Sequence, residues 1–115
     1  KQFGKAIAEH QLIAAMLADM ATKMDAARLL TMRAAEMVEK GVPAEMEAAM
    51  AKLYAAEAAV EIARQAVQIH GANGVTTEFL VEKLARDSLI VPIYEGTSQI
   101  QQLIIARALT GKAAF

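Results

Sequence analysis

An all-α fold, an up-down four-helix bundle with two long and two shorter helices, is what this sequence predicts, and three observations predict it. Hydrophobic residues make up 56% of the 115 residues but aromatics only 4%. Ala, Met, Leu and Ile must therefore do the packing, and they suit helices better than strands. Apolar residues recur every three or four positions over two long stretches, which is the period of a helix face. Glycines and prolines fall between those stretches and not inside them. No segment shows the two-residue alternation of a half-buried strand, and there is no internal repeat or low-complexity linker.

The first long helix is expected from about Ala8 to Lys40, because Ile13, Met16, Leu17, Met20, Met24, Ala27, Leu30, Ala34, Met37 and Val38 form one stripe. Gly41 closes it, since glycine takes the left-handed conformation that ends helices at low cost. Pro43 then suits the first turn of a second helix, expected from Pro43 or Ala44 to about His70. In that helix Met46, Leu53, Val60 and Val67 fall seven apart with Met50 and Ala63 between, while Glu45, Lys52, Glu57, Glu61 and Arg64 carry the polar side. One short turn joins the two, so they must pack antiparallel. Gly71 and Gly74 break the pattern, a short helix is expected from Phe79 to Ser88, and Pro92 and Gly96 break it again. A last helix is expected from Ser98 to Leu109.

The length suits one domain that buries roughly two thirds of its extended surface, enough for one core. With 12 basic and 13 acidic residues the formal charge is -1, and no segment gathers positive charge into a stripe. Nucleic acid is therefore not an expected partner. The absence of cysteine excludes disulfides, thiolate catalysis and cysteine metal sites. No apolar run approaches the ~20 residues that span a bilayer, and the start, Lys1-Gln2-Phe3-Gly4, lacks the form of a signal peptide. A soluble protein without membrane insertion is expected.

One carboxylate is oddly placed. Glu95 follows Ile90, Val91, Pro92, Ile93 and Tyr94 and stands just before a helix start. An apolar wall beside it would penalise its ionised form, raise its pKa and make it a usable base near neutral pH. A capping or ion-paired Glu at a helix start is the simpler reading of the residue type alone.

The flanking words decide between these readings. The run Ile93-Tyr94-Glu95-Gly96-Thr97-Ser98-Gln99-Ile100-Gln101 resembles the signature around the catalytic base of the acyl-CoA dehydrogenase flavoenzymes. Gln68-Ile69-His70-Gly71-Ala72-Asn73-Gly74 resembles that family's flavin-contacting turn, and Val81-Glu82-Lys83-Leu84-Ala85-Arg86-Asp87 resembles the segment joining turn to base. Phe3-Gly4-Lys5 and Glu9-His10-Gln11 resemble the opening of the same C-terminal domain. Nearly the whole chain is covered, in family order. The resemblance departs at Ala72, where the family commonly has glycine, and at Val75, where it has an aromatic.

The resemblance implies FAD as cofactor and Glu95 as the base, taking the α-proton of an acyl-CoA thioester while a hydride leaves the β-carbon, to give a trans-2-enoyl-CoA. It places Thr97 and Gln99 at the flavin and Tyr94 and Gly96 at the substrate, with Gly96 leaving room for the thioester. It places Gln2, Phe3, His10 and Gln11 near the cofactor, and Gln68, Ile69, Gly71 and Ala72 at the ADP part of FAD held by a neighbouring subunit. Read by type alone, Thr97 or Ser98 is a helix cap, and the two glycines after the second helix are a C-cap and a turn. His10 and His70 stand sixty positions apart without ligand spacing, so structural roles are expected and no metal site. The methionines read as core filler, and Arg86-Asp87 as a structural ion pair or helix-end clamp.

By the same resemblance the family's N-terminal helical and β domains, which hold most of the flavin surface, precede this region. The chain is then an excised C-terminal domain, inactive alone, of the short- and medium-chain-like branch, which keeps glutamate at this position. Electron-transferring flavoprotein is the family's usual acceptor, and a homo-oligomer, tetramer or dimer, is expected. The implied location is the cytoplasm of a bacterium or the mitochondrial matrix of a eukaryote. The rival from another class is a non-catalytic helical oligomerisation or scaffold module derived from the same bundle.

Overall fold

The computed structural model describes residues 1–113. A short 3-10 turn, Ile7–Glu9, leads into α1, Gln11–Glu39, and α2, Glu45–His70. A second 3-10 turn, Gly71–Val75, precedes α3, Leu80–Ser88, and α4, Ser98–Thr110, closes the domain. The described residues contain four α-helices and no strand, as the composition and periodicity predict.

The boundaries differ from expectation where local polar contacts win. α1 starts at Gln11 because His10 is extended at φ -88° and ψ 129°, with its Nε2 3.2 Å from the Gln2 carbonyl oxygen. Just before it, the Glu9 carboxylate accepts from the Ala6 amide at 2.9 Å and tightens residues 7–9 into a 3-10 turn. Pro43 precedes the N-cap Ala44 and lies outside α2. At the other end of α1 the glycine reading holds. Gly41 has φ +69°, and the amides of Gly41 and Val42 donate to the carbonyls of Val38 and Met37, the paired bonds that satisfy carbonyls left over at a helix end.

α2 is the axis of the molecule. It packs against α1, α3 and α4, which make no comparable contact with one another. That position explains its composition: Ala49, Ala51, Ala56 and Ala58 are all buried, and small side chains let three helices approach one. Periodicity alone had pointed to the larger apolar residues, but Met46, Met50, Leu53, Val60 and Val67 are only half-buried. On α1 the expected stripe has the right period but is narrower, since Leu17, Met24 and Val38 are exposed.

Polar contacts set the register. Gln65 Nε2 donates to Asp19 at 2.7 Å and to Glu61 at 3.0 Å, tying the start of α1 to the end of α2. Arg33 to Glu47, 3.0 Å, ties the opposite ends. Hydrogen bonds from Arg64 and Gln65 bring the Glu61 carboxyl down to about 2, and those from Lys23 and Gln65 lower that of Asp19. α4 runs antiparallel to α2, with Ser98 against Glu57 and Arg107 against Glu45. Arg86 and Asp87 do not pair with each other. They bind Glu82 and Lys83 one turn back along α3.

The packing is open. The Cα radius of gyration is 17.6 Å, against roughly 13 Å for a compact chain of this length. The accessible surface is 7908 Å², about 1,800 Å² above that of a typical monomer of this mass. Among the described residues no large side chain is fully buried.

Candidate active site

Nine residues, Leu89 to Thr97, join α3 to α4 and carry the odd carboxylate. Ile93 and Tyr94 donate to the Ile90 carbonyl at 2.9 and 3.1 Å, and Ser98 donates back to the Pro92 carbonyl at 2.9 Å, so the loop closes on itself. Inside it, Glu95 has φ +53° and Gly96 φ +92°. A left-handed backbone costs an ordinary L-residue about 1–2 kcal/mol, so something must hold Glu95 there.

Two side chains do. Lys52, half-buried on α2, donates from Nζ to the Gly96 carbonyl at 2.7 Å, and its ammonium stands 5.9 Å from the centre of the Tyr94 ring. Gln101, buried on α4, donates from Nε2 to the carbonyls of Glu95 and Gly96 at 3.5 and 3.3 Å. A hydrogen bond from a charged donor contributes roughly 1.5–3 kcal/mol, which is the size of the strain it opposes. The carbonyls are held from two helices, and the Glu95 side chain is left projecting from a fixed turn.

Gly96 has an internal reason beside the expected substrate passage. A Cβ there would lie 2.6 Å from Gln101 Nε2, so a side chain would displace the amide that holds the loop. Thr97 is the N-cap of α4, its hydroxyl accepting from the Ile100 amide at 3.3 Å. Ser98 is buried and donates to Glu57 at 2.5 Å. Gln99 is exposed one residue into the helix.

The apolar wall expected around Glu95 is not supplied by this chain. Glu95 is exposed, and so are Ile90, Ile93 and Tyr94, at 55%, 60% and 49%. These apolar side chains are themselves at the surface, and the carboxylate is left uncovered.

The remaining site residues lie elsewhere. Gln68 and Ile69 end α2, and Gly71 and Ala72 are exposed in the turn that follows. Gly71 has φ +61° with open space where a side chain would stand, whereas a Cβ on Gly74 would meet the Val67 carbonyl at 2.5 Å. Gly74 therefore lets the turn lie against α2. Gln2 and Lys5 exchange backbone hydrogen bonds around Phe3, which has φ +53° and is 94% exposed. The Phe3 and His10 rings meet edge-on at 6.1 Å, and Gln11 is the exposed first residue of α1. His70 rests on the Ala66 carbonyl and the Phe79 ring. Among the described residues no group of three His, Asp or Glu side chains could hold a metal.

Two clusters result. Antiparallel packing brings the N-terminal turn and the Gly71 turn to one end of the long helices, while Glu95 to Gln99 dock midway along α2. At 1.5 Å per residue, the thirteen positions from Glu57 to His70 separate them by about 20 Å. Sequence reasoning assigned Lys52 to a solvated polar face and gave Gln101 no role, although it stood inside the quoted signature.

The profile of the acyl-CoA dehydrogenase C-terminal domain matches residues 1–110. The chain belongs to that family. Over 112 residues the chain is similar to the caffeyl-CoA reductase-Etf complex subunit CarC of Acetobacterium woodii, 52% identical over 97% of this chain and 30% of that protein. The 3-(aryl)acrylate reductase of Clostridium sporogenes is 47% identical over 95% of this chain and 29% of its own length. Among solved structures, butyryl-CoA dehydrogenase from Megasphaera elsdenii superposes with a TM-score of 0.93 at 39% identity, over 95% of this chain and 28% of that one. The chain thus spans about 30% of the curated relatives it matches. No helix of the described residues is long and apolar enough to cross a membrane.

Proposed function

We propose that this chain serves as the C-terminal domain of an FAD-dependent acyl-CoA dehydrogenase, with Glu95 as the base that exchanges a proton with the α-carbon of the thioester. The observation that carries this is Glu95 itself, the exposed carboxylate of a strained turn clamped from α2 and α4, inside a family match from residue 1 to 110.

The residues fit a flavin dinucleotide. The loop cluster offers the Thr97 hydroxyl and Gln99 amide at a helix N-terminus, where positive dipole favours electron-rich groups. The far cluster offers the amides of Gln2, Gln11 and Gln68, an uncovered Phe3 ring and an open turn at Gly71 and Ala72, with Ile69 beneath. The ~20 Å between them suits a division in which the loop serves its own cofactor and the far end that of a neighbouring subunit in a homo-oligomer. When bound, the flavin takes up or gives back the hydride of the β-carbon.

The chain's own residues handle the proton. The carboxylate of Glu95 removes it from the α-carbon, and the apolar rim of Ile90, Ile93 and Tyr94 excludes water once substrate and the preceding domains cover it. Tyr94 and Gly96 flank the thioester. Coverage from outside this chain supplies the desolvation that makes the base effective, which is why the isolated chain is expected to be inactive.

The names of two relatives favour a second direction for the same site. Those proteins are called reductases of caffeyl-CoA and of arylacrylates. In that direction Glu95, carrying a proton, would deliver it to the α-carbon of a 2-enoyl thioester, and a reduced flavin would supply the hydride for the β-carbon. The first relative also supports electron-transferring flavoprotein as redox partner, and the bacterial sources favour the cytoplasm.

The test uses the whole protein with FAD bound. Under anaerobic conditions saturated acyl-CoAs should bleach the flavin, or 2-enoyl- and cinnamoyl-type thioesters should reoxidise the dithionite-reduced flavin. Both changes should vanish in Glu95→Gln with FAD retained. Survival in that variant would move the base elsewhere, and silence of the wild type toward every thioester would favour the scaffold reading.

A further inference from the structure

We infer that Lys52, supported by Gln101, is a positioning residue that sets the aim of the Glu95 carboxylate. This rests on Glu95 being the base. Glu95 occupies a backbone conformation that its side chain disfavours, so the direction of its Cα–Cβ bond depends on whatever holds its neighbours. Lys52 reaches both of them. One ammonium donates to the carbonyl of Gly96 at 2.7 Å and stands 5.9 Å from the ring of Tyr94, within the range of a cation–π attraction. Gln101 closes the turn from the opposite helix through the carbonyls of Glu95 and Gly96.

A merely structural role is separable from this one. α4 is docked on α2 at two further places, Ser98 to Glu57 and Arg107 to Glu45. Loss of the Lys52 donor leaves those anchors in place and frees only the turn. Because misplacing a reacting group by about 1 Å costs on the order of 10²-fold in rate, the effect on proton transfer exceeds the modest losses of stability and binding that follow from removing one charged donor.

The decisive experiment isolates that proton. The FAD-loaded whole protein is mixed in D2O with a 3-thia-acyl-CoA, whose β-position is sulfur and cannot release hydride, and α-deuterium uptake is followed by NMR. Lys52→Met should exchange on the order of 10- to 100-fold more slowly than wild type, with FAD content unchanged, the thermal midpoint lowered by only a few degrees, and a loss of thioester affinity well below the loss of rate. Lys52→Arg, which restores a charged donor, should recover most of the rate. If Lys52→Met fails to hold FAD, Gln101→Met carries the same test from the other helix. Exchange at the wild-type rate in Lys52→Met, with Glu95→Gln silent, would overturn the positioning role and leave the base assignment standing. Exchange persisting in Glu95→Gln would remove the base assignment and this inference with it.

Discussion

At the scale of single residues, the loop shows how strain, a missing side chain and two donors combine to present one carboxylate. Glu95 and Gly96 share left-handed backbone, but only glycine takes it without steric cost. Gly96→Ala adds both the strain of φ +92° and a methyl 2.6 Å from Gln101 Nε2. The isolated chain should lose about 1–2 kcal/mol by denaturant titration. In the whole protein, flavin bleaching should slow by roughly 10- to 100-fold through displacement of the turn. Stopped-flow absorbance checks the second point, and a wild-type rate would show that the turn's shape does not govern the base. The signature word made Glu95, Gly96 and Thr97 legible in the sequence. Lys52 was not legible, because a lysine in a polar stripe gives no sign that its ammonium ends on a carbonyl forty-four positions away.

Among the elements, α2 decides the arrangement, and its neighbours are placed by small residues and polar ties. The two glycines Gly41 and Gly74 have different reasons. Gly41 has positive φ and open space, so Gly41→Ala should lower stability by about 1 kcal/mol. Gly74 has backbone in the way, and Gly74→Ala should cost more, roughly 2–3 kcal/mol, since the Val67 carbonyl cannot move without disturbing the end of α2. Equal losses in urea would contradict this account of the turn. The ties between α1 and α2 predict acid sensitivity. Glu61, at about 2 instead of the ordinary 4.5, and Asp19, also lowered, are more acidic folded than unfolded. Their contribution is complete above the unfolded values and disappears as pH falls through the folded ones. The thermal midpoint should be level from pH 7 to 5 and drop from about 4.5 toward 2, less steeply in Glu61→Gln. Both groups meet solvent, so added salt should shrink the difference.

For the whole molecule, exposed apolar surface is the dominant property. The excess of about 1,800 Å² is roughly twice what one partner contributes to a standard interface, and Leu12, Leu29, Met32, Leu80 and Leu109 are among the large side chains left in water. Isolated at high concentration, the chain should self-associate, with sedimentation velocity showing dimers or larger species. A monomer throughout would mean that the open faces are tolerated. The same openness leaves Glu95 without its apolar cover, so thioester turnover by the isolated chain would refute the need for outside desolvation.

Composition and a period of three to four residues were enough for four helices and no strand, because helix faces are written locally. Gly41 as a stop was local too, since a positive φ needs no partner. The loop that carries Glu95 was legible as a word of nine residues, and with it the family. Tertiary structure alone decided what that word rests on. Whether Lys52 points to water or to Gly96, whether alanines or methionines form the centre of α2, and whether Glu95 is covered all depend on which elements meet. Those meetings join residues from fourteen to sixty-two positions apart, and no local pattern encodes them.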